Sequence, residues 1–239
     1  TVKIYVGGAL NNSGIATGGD FSILISALAQ GSNVIDAIAT DALGNVSTTI
    51  SSTIFVDSVA PVEPVYTDLP ATINTTSYTI TGTAEADSVV KLYIGDTLAA
   101  SGNAAGGTFS ILVPGLTENI NVINTTATDA LENISSTASS VIFVDMIPPA
   151  APTITTNGGV NFSAYTGCFL LEGTCASDSY TIEVNNSTTG VHYTPGQTTW
   201  SAEAHLEIAV DDTFTVYAYD LVGNKSAPDS IHVTFLFAI

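Results

Sequence analysis

The residues of this chain that could do chemistry are mostly carboxylates. Asp41 and Asp129 stand in the phrases "ATDALGN" and "ATDALEN", and a worn third form, "AYDLVGN", places Asp220 in the same way. Asp57 and Asp145 sit in the Pro-rich stretches "FVDSVAPVEP" and "FVDMIPPAAP". Carboxylate oxygens in turns are the hard donors that Ca²⁺ takes. Asp41 with Asp57, and Asp129 with Asp145, are therefore expected to converge as cation sites, with Ca²⁺ the single cofactor. The plainer role for the same aspartates is to cap turns, since no dense DxDxDG loop is present.

Other reactive groups are sparse. His192, His205 and His232 lack metal-site spacing, and they read as surface histidines on strands. No nucleophile elbow, Ser–His–Asp spacing or glycine-rich phosphate loop occurs, so an enzyme is not expected. Nine Asn-x-Ser/Thr sequons, at Asn11, Asn45, Asn74, Asn124, Asn133, Asn161, Asn185, Asn186 and Asn224, offer glycan attachment points. Charge narrows the partners further. The 239 residues carry 22 Asp plus Glu against three lysines, a net charge of −19. Phosphate backbones and anionic headgroups are repelled by such a chain, which rules against nucleic acid and membrane surfaces. No apolar run approaches the ~20 residues that span a bilayer. The start, "TVKIYVGG", has neither initiator Met nor signal peptide, as a mature or truncated product would, and the composition fits an exported protein.

What must position these residues is a repeat. Residues 20–47 align on residues 108–135 without a gap, with 15 of 28 positions identical at an offset of 88. A third, diverged copy lies at offset 91, where "SYTITGTAEADS" (77–88) maps onto "CFLLEGTCASDS" (168–179) and Phe109 onto Trp200. Trp200 is thereby expected in a core rather than on a sugar-stacking surface. Each copy reads as short β-branched or aromatic strands between Gly, Asn, Asp and Ser clusters. In the longest strand every second residue forms one apolar face: Ile35, Ala37, Ala39; Ile123, Thr125, Ala127; Phe214, Val216, Ala218. About seven strands per ~90 residues is the count of an immunoglobulin-like sandwich. The fold class is thus all-β, with tandem immunoglobulin-like sandwiches arranged as a rod. The units expected are 1–60 (lacking its N-terminal strands), 61–148, and a diverged 149–239.

The run "TGTAEADSVVKLYIG…GTFSILVPGL…NVINTTATDALENIS…VIFVDMIPPAAPT" resembles the bacterial immunoglobulin-like (Big) repeat of large surface adhesins. That resemblance implies an extracellular, cell-surface, non-enzymatic stalk or fibre module whose partners are neighbouring copies or further repeats, often stiffened by Ca²⁺ at its joints. A host or surface ligand is a further partner, and the alternative is a ligand- or glycan-binding tip carried by the third unit.

Two local features carry their own expectations. Cys168 and Cys175 align with Ser77 and Ala84 on one strand, where seven extended residues span ~23 Å, beyond disulfide reach. An exported chain with two cysteines nevertheless favours a bond, which requires Gly173 to bend the chain back. The first copy lacks the counterpart of "SYTITGTAEADS", leaving an apolar groove beside unpaired backbone. One explanation is a fragment. The other is a strand donated head to tail by a neighbouring subunit, for which Phe235, Leu236, Phe237, Ala238 and Ile239 are the candidate donor.

Overall fold

The computed structural model describes residues 1–165, 167–185, 187–206 and 210–236. Among these residues no helix is long and apolar enough to cross a membrane. Strands alternate with turns throughout, because β-branched runs with a two-residue apolar period bury one face only when paired into sheets.

The second copy is a complete sandwich. Its strands are β5 (Val65–Asp68), β6 (Thr72–Ile73), β7 (Ser77–Thr83), β8 (Val89–Ile94), β9 (Thr97–Asn103), β10 (Thr108–Pro114), β11 (Asn119–Thr128) and β12 (Ala138–Val144); they follow β1 to β4 of the first copy. One sheet runs β10-β7-β5 and the other β6-β12-β11-β8-β9, with β6 parallel to β12 and the rest antiparallel. A first strand shared between both sheets is the immunoglobulin-like arrangement. Between the sheets Ile80, Leu92, Ile123 and Ile142 are fully buried, each contributing about 1.5–3 kcal/mol of apolar transfer. Thr125 is a fully buried polar residue of this core. Its hydroxyl meets the Tyr66 hydroxyl at 2.8 Å, and Tyr66 reaches across from β5 in the opposite sheet.

The third copy repeats the design with one change. It comprises β13 (Thr153–Ile154), β14 (Phe162–Ala164), β15 (Cys168–Thr174), β16 (Thr181–Val184), β17 (Val191–His192), β18 (Thr199–His205), β19 (Asp212–Tyr219) and β20 (Asp229–Phe235). Its sheets run β13-β15-β18-β17 and β14-β20-β19-β16. The strand after β16 therefore pairs with β18, whereas its counterpart β9 pairs with β8. Trp200 is buried at 3% exposure, in the place Phe109 holds at 4% in the second copy.

In the first copy β1 (Val2–Val6), β2 (Ala9–Gly14), β3 (Gly31–Ala39) and β4 (Ile50–Val56) form one sheet, β2-β1-β3-β4. This matches the β9-β8-β11-β12 order of the second copy. No second sheet faces it among the described residues. Hence Ile35 and Ala37 are only half-buried and Ala39 is exposed, while Ile123, Thr125 and Ala127 are each at 0%.

Two expectations are corrected here. Cys168 and Cys175 are not bonded to each other. β15 stays extended and in unbroken register with β18 from Cys168↔His205 to Thr174↔Thr199, so the thiols are held apart at its two ends. Gly173 is not a pivot. A Cβ there would lie 2.3 Å from the Thr153 carbonyl oxygen and 2.4 Å from Trp200 Cζ2, so the glycine exists to let a ring lie on the backbone. Phe235 is no loose donor either. It ends β20 opposite Ala164, packs against the core of the third copy, and is followed by a bond from Leu236 N–H to the Ala164 carbonyl (2.9 Å). Phe237, Ala238 and Ile239 lie outside the described residues.

Gly82 does for Phe109 what Gly173 does for Trp200, since a Cβ would stand 2.4 Å from both Phe109 Cζ and the Val65 carbonyl oxygen. Gly82→Ala is expected to destabilise by about 1–3 kcal/mol through overpacking, read as a lower urea midpoint. Tyr66→Phe, which strands the buried Thr125 hydroxyl, is expected to cost about 1–2 kcal/mol in the same measurement.

Candidate functional site

The thrice-written phrase folds into one compact turn. In the second copy Asp129 Oδ1 accepts the backbone N–H groups of Leu131 (2.8 Å) and Asn133 (2.9 Å), and Oδ2 accepts Asn133 Nδ2 (2.7 Å). Asp41 and Asn45 make the same set, with Leu43 N at 2.9 Å, Asn45 N at 2.8 Å and Asn45 Nδ2 at 2.8 Å. So do Asp220 and Asn224, with Val222 N at 3.0 Å, Asn224 N at 2.8 Å and Asn224 Nδ2 at 2.7 Å. A serine two residues after the Asn completes the turn: Ser47, Ser135 and Ser226 each accept on Oγ the N–H of the last alanine of the long strand, all at 2.9 Å.

The turn leaves one Asn amide hydrogen unused, and that hydrogen makes the joint. Asn133 Nδ2 donates to the backbone carbonyl of Asp57 (3.1 Å), and Asn224 Nδ2 to that of Asp145 (2.8 Å). Each linker aspartate thus meets the turn of the copy that follows it. The expected pairs, Asp41 with Asp57 and Asp129 with Asp145, are one copy out of step. The reason is topological. The phrase follows the long strand at the pole where a unit is entered, whereas the linker leaves from the opposite pole. Ser136 Oγ to Glu63 (3.1 Å) reinforces the first joint, and Asn74 Nδ2 to the Val222 carbonyl (2.9 Å) the second.

The carboxylates at these joints are engaged chiefly with nearby backbone and amide donors. Asp57, Glu85, Asp87 and Asp129 line a cleft of about 350 Å³ at the first joint. Yet among the described residues no three acidic, His or Cys side chains are grouped to hold a metal. Both Asp129 oxygens accept hydrogen bonds from donors of its own turn. Asp57 Oδ1 accepts Gln30 Nε2 (2.5 Å) and Val59 N (3.1 Å), and Asp145 Oδ1 accepts Ile147 N (3.2 Å). The joint is a hydrogen-bonded clamp. Its key residues, Asn133 and Asn224, appear in the sequence as sequons and as the last letter of the repeated phrase. Their identity in all three copies was the available signal.

The asparagine amides bear on glycosylation as well. Nδ2 of Asn11, Asn45, Asn74, Asn124, Asn133 and Asn224 each donates a hydrogen bond, and a glycan on that nitrogen would disturb it. Asn186 lies outside the described residues.

Two further groupings come together only in three dimensions. Cys168 Sγ lies 3.2 Å from His205 Nδ1 across the β15–β18 pair, above a cleft that also includes Glu203. Burial pushes the pKa of the other thiol, Cys175, up. On the third copy Tyr180, Thr188, Glu183, Tyr219, Asp220 and Leu221 line a cleft of about 410 Å³. Beside it Lys225 Nζ lies 3.6 Å from the Tyr217 ring centroid and 3.8 Å from Glu183 Oε2. The Tyr219 hydroxyl raises the Lys225 pKa. The second copy carries Thr126, Thr128 and Ile134 where these residues are Tyr217, Tyr219 and Lys225.

No family model matches the chain, and no curated protein matches it. Solved structures do. The fibronectin(III)-like modules of Clostridium thermocellum CbhA are 17% identical with a TM-score of 0.48, covering 73% of this chain and 95% of that one. Titin domains z1z2 in complex with telethonin are 13% identical with a TM-score of 0.29, over 74% of this chain and 98% of that one. The BSP domain of a biofilm-associated protein is 18% identical with a TM-score of 0.27, over 87% of this chain and 43% of that one. These likenesses concern the β-sandwich fold and assign no activity.

The Asn133 side chain holds the Asp129 carboxyl below its ordinary pKa of 3.8. A depressed pKa adds stability that is complete above the ordinary value and is lost as pH falls through the lowered one. In an NMR titration Asp129 is expected to protonate below 3.8, and Asn133→Ala to return its midpoint towards that value. Glu132 stands at φ 67° where the other copies have Gly44 and Gly223, both at φ 90°. Glu132→Gly is expected to stabilise by about 1 kcal/mol, seen as a higher urea midpoint.

Proposed function

We propose that this chain is an extracellular structural and adhesive module, a stalk or fibre segment of a bacterial surface protein, built from immunoglobulin-like units (1–60, 61–148 and 149–239) joined in series. Its partners are neighbouring copies or further units of the same kind, and its role is mechanical rather than catalytic. The observation that carries this reading is the repeated clamp, in which one asparagine amide grips the preceding linker at both joints. A device copied with each repeat and spent on fixing the angle between units is what a spacer requires.

A second reading, ligand or glycan recognition by the third unit, is favoured by the Tyr180–Tyr219–Glu183 cleft, which offers aromatic faces beside carboxylate acceptors. A glycan array probed with the full chain and with Tyr219→Ala separates the two: captured sugars lost in the variant would place recognition there.

For the stalk, small-angle scattering of the double variant Asn133→Ala, Asn224→Ala is the direct test. Loosened joints are expected to broaden the distance distribution while circular dichroism stays unchanged. Chelation, by contrast, is expected to leave the maximum dimension as it is. An unaltered distribution in the double variant would remove the clamp as the source of stiffness.

A further inference from the structure

The third copy sets a thiol beside an imidazole where the second copy has neither. Cys168 opens β15 and His205 closes β18, in the positions that Ser77 and Pro114 hold in the second copy. The two strands keep unbroken antiparallel register, and at the next pair Leu206 N–H donates to the Gly167 carbonyl (2.8 Å). Ladder bonds alternate, so Cys168 and His205 form a non-hydrogen-bonded pair, the kind whose side chains stand closest. Cys168 Sγ lies 3.2 Å from His205 Nδ1. The next residue, Phe169, points the other way and packs against the core, its ring edge-on to Phe162 and Phe214 at 5.4 Å between centroids in both cases. The backbone beneath the pair is thereby anchored, while Cys168 itself is exposed.

Cys175, just past the other end of the same strand, supplies the contrast. It is half-buried, and its Sγ donates to the Gln197 carbonyl oxygen (3.7 Å), which is no base. The thiolate rather than the thiol is the nucleophile, so a thiol gains reactivity from a neighbour able to take its proton. With the ring in its Nε2–H form, His205 Nδ1 is such an acceptor for Cys168. Around the pair lies a cleft of about 390 Å³, lined also by Phe169, Leu170, Glu203 and Ala204. Glu203 and a net charge of −19 make that cleft repel anions and draw in cations.

We propose that Cys168 is a modification site, a nucleophilic thiol that exchanges with small cationic disulfides, with His205 as its base. His205 Nδ1 takes the thiol proton, and the sulfur attacks one sulfur of the reagent R–S–S–R. The Cys168–S–S–R bond forms as the reagent's own S–S bond breaks. The departing thiolate takes the proton back from the imidazolium and leaves as RSH. One disulfide is consumed and one is made, so the step needs no oxidant. The group R is left on the solvent face of β15, where it displaces no core side chain. The third copy thereby carries a covalent attachment point that does not depend on the stalk reading above.

The test times the labelling of each cysteine in the full chain by peptide mass spectrometry, with cystamine as a cationic disulfide and dithiodiglycolate as an anionic one. Cystamine is expected to label Cys168 at least about tenfold faster than Cys175, and dithiodiglycolate to label Cys168 more slowly than cystamine does. His205→Ala is expected to slow Cys168 by about tenfold while the Cys175 rate and the circular dichroism stay as they were. Added imidazole is expected to restore the Cys168 rate in that variant, which a purely structural role for His205 would not allow. Should the variant disturb the fold, the Cys175 rate rises with it, and the two thiols of the unaltered chain still decide the matter. Equal rates at those two thiols, equal rates with the two reagents, an undiminished rate in a folded His205→Ala variant, or no recovery with imidazole would overturn the assignment.

Discussion

A carboxylate has room for only a few strong hydrogen bonds, and in this chain the turn after each long strand uses that capacity locally. Asp129 accepts two backbone N–H groups and one side-chain amide hydrogen from residues within four positions of itself. Those bonds leave Asn133 no rotational freedom, so its second amide hydrogen has one direction to point, towards the incoming linker. The angle between consecutive sandwiches follows from a turn that would otherwise be unremarkable. The linker carboxylates, by contrast, have bonds to Oδ1: Gln30 Nε2 and Val59 N–H on Asp57, and Ile147 N–H on Asp145.

Inside each sandwich the corresponding constraint is contact between a ring and a glycine. Phe109 and Trp200 lie across Gly82 and Gly173, so the sheets approach closely at one end of the core. Where the covering strand is present, the alternating residues of β10 and β18 are dry. In the first copy Asn11 and Asn12 bond the backbone of the equivalent segment, and Phe21 is half exposed while Ile23, Ile25 and Leu28 are half-buried.

The third copy departs from the others on its outer face rather than in its core. Tyr217, Tyr219 and Lys225 replace two threonines and an isoleucine, and Lys225 is held between an aromatic ring and Glu183. β17 also crosses to the opposite sheet. Core positions keep their apolar character because the inter-sheet space admits little else. The solvent face has no such restriction, and it is there that divergence accumulated.

Period-two alternation, the constant 88-residue offset and the spacing of turn residues made the all-β class and the inward residues of its strands legible from the sequence, because each depends on local order along one strand. Trp200 could be placed in a core by its alignment with Phe109 alone. The joints could not be read that way. Whether Asp57 meets Asp41 or Asn133 depends on which pole of a sandwich the chain leaves from, a property of the closed topology. Gly173 looked like a bend because a lone glycine in a strand permits one, and only the ring of Trp200 packed on it shows the need for close approach. That packing keeps β15 straight and Cys168 away from Cys175. It also brings Cys168 to His205, 37 residues away. Strand register and sheet pairing bring together groups that the chain separates, so those contacts belonged to the tertiary structure.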